Sequence, residues 1–193
     1  ILLSILFFSN CKAQTVVPLD GSGPAESGYY YKDINNFLNT FEGTYLYTNG
    51  NTSFKIVLQK KVMSNVNDIF YEDILIGGYQ YIEDGVEKVN TLSKLSIPHV
   101  NGWFYPINGN TIMTGKMRCP SCASDEKWLA VMIVDPIGDS VNELLIRKTL
   151  IGGQEAIRVF IYFSPFHYAV EEGAPPRIPN SYPVSTEFVF LKQ

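Results

Sequence analysis

Charged residues are scarce in this sequence, and so are the side chains that bind metals. Of the 193 residues only 18% are Asp, Glu, Lys or Arg, and the formal net charge is −4. This balance excludes the basic surface that contacts nucleic-acid phosphates, so we expect no nucleic-acid partner. The chain has two histidines and three cysteines, whereas a structural zinc site needs about four such ligands at set spacings. We therefore predict no metal and no cofactor.

Sequence motifs of common enzymes are absent as well. There is no Gly-x-Ser-x-Gly, no phosphate-binding P-loop and no Gly-x-Gly-x-x-Gly after a strand. His99 and His167 are the two histidines that could act as a general base. The adjacent acids Glu171 and Glu172 are typical of a solvated loop, since glycosidases need two facing carboxyl groups. No catalytic residue is predicted, and an enzyme is kept only as an alternative.

The first residues indicate export. Residues 1–8 form an apolar run that is too short to cross a bilayer but has the length of a signal-peptide core. Cys11 follows this run, as the lipidated cysteine does in bacterial lipoprotein signals. Alternatively, Cys11 and Ala13 are the small residues of a cleavage site, and the mature protein begins at Gln14. A third possibility is that residues 1–14 belong to the fold.

Export predicts a location in the cell envelope, at the outer membrane or in the periplasm, or secretion. A lipid on Cys11 is then the only predicted membrane contact. Residues 15–30 are rich in Gly, Ser and Pro and predict a flexible tether after the signal in residues 1–14. Residues 31–193 remain for one domain, a usual length for a single folded unit.

One short helix is predicted at the start of this domain. Ile34, Phe37, Leu38 and Phe41 recur with helical spacing. Asp33 precedes them and is suited to cap the free amides of a first helical turn. The rest of the domain is predicted to form strands.

Turn dipeptides predict how the strands pair. Four of them lie between apolar, alternating runs: Asn49-Gly50, Asp84-Gly85, Asn108-Gly109 and Gly152-Gly153. Both residues of such pairs accept positive φ, as a tight hairpin requires. The pattern predicts an all-β fold, an antiparallel meander of about 8–10 strands. A sheet of this size either closes into a barrel, which we expect, or splits into a two-sheet sandwich.

Alternation identifies the residues that face inward. Two strands place apolar side chains on one face, namely Phe54, Ile56, Leu58, Ile157, Val159 and Ile161. With Tyr45 and the many other rings (12 Tyr and 12 Phe), these residues are the predicted lining of a cavity for a small apolar or amphipathic ligand. The alternative is that they simply fill the core. The Pro-rich loop 164–183 is expected near one mouth of the barrel.

A five-residue string supports the barrel. Phe41-Glu42-Gly43-Thr44-Tyr45 resembles the F-x-G-x-W start of lipocalins and fatty-acid-binding proteins, the calycins, with Tyr45 in place of Trp. The resemblance implies an aromatic plug at one end of a barrel, covered by an arginine from a late strand. Arg147 and Arg158 are the candidates for that arginine.

A wider resemblance concerns the whole chain. The string Cys-Lys-Ala-Gln at residues 11–14, the Asn-Gly hairpin and the segment Arg118-Cys119-Pro120-Ser121-Cys122 resemble a family of small exported bacterial proteins known only as a domain of unknown function. This resemblance implies no activity.

Cys119 and Cys122 form the single CxxC motif. They lie between predicted strands, whereas a redox-active CxxC begins a helix, which argues against redox catalysis. A structural zinc site would need a second pair of ligands, and the sequence offers none at a suitable spacing. A local disulfide in an oxidising compartment is therefore predicted.

The sequence leaves three functional classes open. We expect a non-enzymatic exported binding module for a small ligand. The first alternative is an envelope interaction or structural lipoprotein with a filled core, whose protein partner is unknown, and the second is an enzyme.

Overall fold

A computed structural model describes residues 14–20, 25–116, 119, 122–163 and 178–193. In these ranges the chain forms eleven strands: β1 Thr15–Pro18, β2 Tyr29–Lys32, β3 Gly43–Asn49, β4 Thr52–Val66, β5 Phe70–Glu83, β6 Val86–Asn90, β7 Ile107–Thr114, β8 Lys127–Asp135, β9 Ser140–Ile151, β10 Gln154–Tyr162 and β11 Thr186–Lys192. They also form three short 3-10 helices: Leu38–Phe41, Leu92–Ser96 and Gly102–Phe104. Cys11 and residues 164–177 of the Pro-rich loop lie outside the described residues.

Eight of these strands close into an antiparallel barrel. Sequence neighbours pair from β3 to β5 and from β7 to β11, and β11 returns to pair with β3 through Leu191 and Leu46. The ring closes where β5 pairs with β7, with Leu75 opposite Gly109. Outside the ring, β6 pairs with β5, and β1 and β2 add to the edge of β5 in parallel. The predicted all-β barrel is confirmed, and the sandwich alternative is not observed.

The predicted turns have mixed outcomes. At Asp84-Gly85 and Gly152-Gly153 all four φ angles are positive and each pair joins two strands, as predicted. The turn after β3 lies one residue later than predicted, at Gly50 and Asn51, because Asn49 pairs with Thr52.

The turn predicted at Asn108-Gly109 is wrong. Both residues lie within β7, and the pairing of β7 with β8 contains a bulge between Asn108 and Thr111. Glycine is required there because a Cβ on Gly109 would lie 2.8 Å from the Cα of Val131. The dipeptide therefore permits close strand packing rather than a change of direction.

The predicted helix is reduced to a single 3-10 turn over Leu38–Phe41. Asn36 has φ of +53°, which interrupts a regular helix before this point. Asp33 still caps the turn, since its two carboxylate oxygens accept hydrogen bonds of 2.8 Å from the amides of Phe37 and Leu38. Leu38 and Phe41 are fully buried, so this turn plugs one end of the barrel, which we name the helix end.

The segment predicted as a tether contributes strands to the sheet. Thr15–Pro18 forms β1, and the adjacent β2 begins at Tyr29, inside the predicted tether. The hydroxyl of Tyr30 donates a 2.6 Å hydrogen bond to Asp73, which fastens β2 to β5. Backbone pairing and this buried contact hold a segment whose composition alone indicates flexibility.

A strap closes the opposite end of the barrel, the strap end. The strap is the described residues 178–185, which include the last part of the Pro-rich loop. Tyr182 is buried, with its ring 5.5 Å from that of Tyr79 inside the barrel. The carboxylate of Asp135 accepts hydrogen bonds from the amide and the hydroxyl of Ser181, at 2.6 and 2.7 Å. The expectation that this loop lies near a mouth is met by its described part.

A second small core lies outside the barrel wall. Trp128 and Ala130 face away from the interior and pack with Leu145 and Cys122. The sulfurs of Cys119 and Cys122 are joined in a disulfide, with Cα atoms 5.4 Å apart, as predicted. Both cysteines pack with Trp128 on the outer side of β8.

Candidate functional site

The structure brings the seven predicted lining residues together inside the barrel. None of them is more than 1% exposed, and all belong to the largest hydrophobic cluster: Tyr45, Phe54, Ile56, Leu58, Ile157, Val159 and Ile161. Their inward orientation follows from the alternation read in the sequence. Their role as ligand contacts stays a prediction.

Aromatic rings fill the interior towards the strap end. The ring of Phe54 lies between 5.3 and 6.0 Å, centre to centre, from five other rings: Tyr79, Tyr81, Tyr182, Phe188 and Phe190. Tilted and edge-on contacts at these distances are favourable packing. Around Phe54, the protein's own side chains therefore occupy the space that a calycin-type ligand would take.

Tyr45 is a core residue whose polar atom lacks a hydrogen bond in the described part of the chain. Its hydroxyl is buried and has no hydrogen-bond partner among the described residues. Burial raises the pKa of Tyr45 to about 12. Neither Arg147 nor Arg158 supplies the arginine cover implied by the calycin resemblance, because both alternate with inward residues and so face outward. Both pair with Glu187 on the outer surface, at 3.7 and 3.0 Å.

A buried polar network lies at the helix end. Lys60 continues the inward face of β4 after Leu58, and its ammonium lies 3.0 Å from Asp33 and 3.5 Å from Asp73. These three side chains are only 6%, 2% and 1% exposed. Asn39 accepts a further hydrogen bond from Lys60 at 2.9 Å. The network ties the helical plug to the barrel wall, because its members come from both.

A pocket of about 220 Å³ opens beside this network. Its lining comes from the β1–β2 connection, the segment 33–40 that ends in the plug, β7 and β8: Leu19, Asp20, Asp33, Ile34, Asn35, Phe37, Thr40, Ile112 and Lys127. Leu19, Phe37 and Ile112 pack against the barrel core and form an apolar wall. The other side of the pocket is charged: Lys127 and Asp20 form an ion pair of 3.3 Å, and both side chains are partly exposed. The pocket is therefore amphipathic.

Sequence reasoning missed this pocket. Its residues come from four separate segments, and only Asp33, Ile34 and Phe37 were singled out, as parts of a helix. The one local signal was Lys60, a charged residue at the next inward position after Leu58. A charge in an inward register predicts either a barrel end or a buried partner, and both are found here.

A buried carboxylate occupies the outer face of β5. Glu72 accepts hydrogen bonds from the indole of Trp103 and from the amide of Asn110, the latter at 2.7 Å. Burial raises the pKa of Glu72 above its ordinary value, although these two donors act in the opposite direction. Trp103 is thereby fixed beside β5 with part of its ring exposed.

Histidine and cysteine have structural surroundings in the described chain. His99 packs its ring 5.0 Å from Tyr105 and 6.0 Å from Phe104. No group of three or more His, Cys, Asp or Glu side chains within the described ranges is arranged to hold a metal ion. His167 lies outside those ranges. No helix of the described chain has both the length and the apolar character needed to cross a membrane.

Comparison with known proteins identifies one family. A family model described as "Family of unknown function (DUF6705)" matches residues 1–193. No curated protein matches the chain. No solved structure matches it either.

Proposed function

The chain belongs to the Family of unknown function (DUF6705), and we propose that it is a non-enzymatic binding module for a small amphipathic molecule. The barrel fold is compatible with such a role. The observation that carries the proposal is the pocket of about 220 Å³ at the helix end, which places an apolar wall beside charged and hydroxyl groups.

The two sides of the pocket have different tasks. Leu19, Phe37 and Ile112 would bury an apolar group, at about 25 cal/mol per Å² removed from water. Lys127 and Asp20 are partly exposed, so a ligand can exchange with either partner at little cost, because exposed ion pairs contribute only about 0–1 kcal/mol. The pocket is smaller than the roughly 300 Å³ of a drug-sized site, which favours a short-chain ligand.

A second candidate places the ligand inside the barrel. The buried hydroxyl of Tyr45 has no partner in the described chain, and a polar atom left in this state costs about 1–3 kcal/mol. A ligand atom beside it would remove that cost. The close ring packing around Phe54 favours the end pocket over this interior position.

The disulfide supports an exported location for the module. A bond between Cys119 and Cys122 is typical of oxidising compartments outside the cytosol. Envelope localisation, the signal in residues 1–14 and lipid attachment at Cys11 are parts of this proposal.

Ligand binding can be tested with a panel of short alkyl amines, alcohols and carboxylates, followed by thermal shift and by NMR. We expect at least one class to stabilise the protein. Ile112→Trp should abolish that stabilisation by filling the pocket. The matched control is Val141→Trp on the outer side of β9, at an exposed position away from the pocket.

Native mass spectrometry after extraction would detect a ligand that co-purifies. Circular dichroism of each variant checks that the barrel has formed. If Phe54→Leu removes binding and Ile112→Trp does not, the ligand lies in the interior. If neither the panel nor the extract yields a ligand, the binding-module proposal is wrong.

A further inference from the structure

The β4–β5 hairpin projects beyond the barrel. β3 pairs with β4 only as far as Leu58, and β7 pairs with β5 only from Leu75 onwards. The two strands continue as a ribbon to Val66 and Phe70. We name the outer end of this ribbon, residues 62–70, together with residues 97–104 that pack on it, the tip.

Hydrogen bonds hold residues 97–104 against the ribbon. The amide of Asn65 donates to the carbonyl of Val100 at 3.3 Å. The amide of Gly102 donates to the hydroxyl of Ser64 at 2.7 Å. The indole of Trp103 donates to Glu72. Apolar side chains from both segments therefore lie at the same end of the molecule.

These apolar side chains are exposed. The exposed fractions are 73% for Val100, 67% for Phe104, 62% for Val62, 49% for Ile69 and 48% for Met63. A β-bulge between Lys61 and Ser64 interrupts the ladder beside Val62 and Met63. Exposed apolar groups that gather in this way mark a contact with a protein or a membrane.

Charge is depleted at the same place. Residues 95–115 contain no Asp, Glu, Lys or Arg, and residues 62–70 contain one charged side chain, Asp68, although 18% of the chain is charged. Trp103, which is 39% exposed, adds a residue type that is enriched at membrane interfaces. This combination suits an apolar boundary more than a charged protein partner.

The path of the chain points to the membrane as the occupant. Gln14, Thr15, Met63 and Tyr71 line one surface depression of about 440 Å³, so the chain enters the domain at the tip. The predicted lipid-attachment residue, Cys11, precedes Gln14 by three residues. Three residues span at most about 11 Å, so a lipid there would hold the tip against the bilayer.

We propose that the tip docks on a lipid bilayer, with Val100, Phe104 and Val62 entering the interfacial layer. Trp103 would then lie at headgroup level. Because the tip is nearly uncharged, zwitterionic lipid suffices and salt has little effect. A lipid on Cys11 and the apolar tip together supply the two signals that stable anchoring requires.

Vesicle binding tests the tip without the lipid anchor. The full chain carrying Cys11→Ser should co-sediment with phosphatidylcholine vesicles, and binding should change little between low and high salt. Val100→Asp should lower the partition coefficient about tenfold or more. Val86→Asp is the matched control, because Val86 is 58% exposed but lies beyond the opposite end of β5; it should bind as the parent does.

Tryptophan fluorescence supplies an independent readout. The chain has two tryptophans, and Trp128 is 1% exposed, so a blue shift on vesicles should come from Trp103. Brominated lipids should quench this emission, and Trp103→Phe should remove the response. Trp128→Phe should keep it.

Three results would overturn membrane docking. One is the absence of vesicle binding by the full chain. Another is an equal loss in Val100→Asp and Val86→Asp. The third is a dimer in sedimentation velocity without lipid that Val100→Asp dissociates, which would make a second copy the occupant. The pocket variant Ile112→Trp should bind vesicles normally, so failure of the ligand proposal is distinguishable from failure of this one.

Discussion

Two tyrosine hydroxyls inside the barrel differ in their hydrogen bonding. Tyr79 donates a 2.7 Å hydrogen bond to the carbonyl of Val134, whereas the Tyr45 hydroxyl has no partner among the described residues. A buried hydroxyl without a partner costs about 1–3 kcal/mol, and a satisfied one contributes about 1 kcal/mol. The two positions are therefore a matched pair for measuring one polar atom in one core.

Tyr45→Phe should raise the free energy of unfolding by about 1 kcal/mol, because it removes the unpaired polar atom and keeps the ring. Tyr79→Phe should lower the free energy of unfolding by a similar amount. Urea denaturation of both variants checks the two signs. If Tyr45→Phe is destabilising instead, its hydroxyl has a partner in solution, which would favour the interior ligand position.

Glu72 predicts a pH dependence. Its pKa is raised in the folded protein because burial disfavours the carboxylate. The folded state therefore holds the proton more tightly than the unfolded chain does. This stabilisation is complete below the ordinary pKa of glutamate, about 4.3, and is lost as the pH rises through the raised pKa.

Glu72→Gln should remove this titration. The free energy of unfolding of the parent, minus that of Glu72→Gln, should therefore fall as the pH rises from about 4 towards neutrality. Urea denaturation at several pH values measures the difference. A flat or rising difference over this range would contradict the raised pKa.

At the scale of elements, both barrel ends are closed by short segments that polar contacts hold. Lys60, Asp33 and Asp73 fasten the plug at the helix end. At the strap end, Asp135 accepts hydrogen bonds from the amides of Ile137 and Gly138, both at 3.0 Å, besides those from the strap. Charge-assisted bonds of this kind are stronger than neutral ones. The closing segments are thus specified by a few carboxylates.

Asp135→Asn should loosen the strap. The NH2 group of asparagine, in the place of Oδ2, cannot accept from the Ser181 amide, so we expect a loss of about 2 kcal/mol and faster proteolysis within residues 178–185. Ser181→Ala removes only the hydroxyl contact and should cost about 1 kcal/mol. Denaturation and limited proteolysis measure both. Equal effects of the two variants would show that the carboxylate does not anchor the strap.

At the scale of the whole molecule, one glycine lies where the barrel closes. Gly77 on β5 pairs with Leu58 of β4 and with Ile107 of β7. A Cβ there would lie 2.6 Å from the carbonyl oxygen of Val57. Two consecutive glycines in a strand are typical of a bulge or bend, but the ladder with β4 continues through both Gly77 and Gly78. The glycine instead permits the close approach of neighbouring strands.

Gly77→Ala should destabilise the whole barrel by about 2 kcal/mol or more, because a backbone atom has to move. The control is Gly50→Asn in the β3–β4 turn, where nothing lies within 4 Å and asparagine tolerates the φ of +58°. That variant should stay within about 0.5 kcal/mol of the parent. Thermal unfolding monitored by circular dichroism compares them. A Gly77→Ala variant as stable as Gly50→Asn would contradict tight closure at this point.

The sequence by itself determined most strands of the barrel and the direction of their side chains. Gly152-Gly153 specifies a hairpin because a tight turn needs positive φ at both residues, and glycine adopts positive φ whatever its neighbours are. Phe54, Ile56 and Leu58 face inward because side chains alternate between the two faces of a strand. Cys119 and Cys122 are close enough in sequence that their pairing is also local. These features depend on neighbours along the chain, which a sequence displays directly.

Only the tertiary structure decided what lies inside and beside the barrel. Asn108-Gly109 has the composition of a turn but serves close packing on Val131, and the spacing of Leu38 and Phe41 is satisfied by a 3-10 turn as well as by a longer helix. The pocket at the helix end joins residues from four separate segments. Ring packing, barrel closure and pocket formation depend on distances between residues far apart in sequence, and no local pattern encodes those distances.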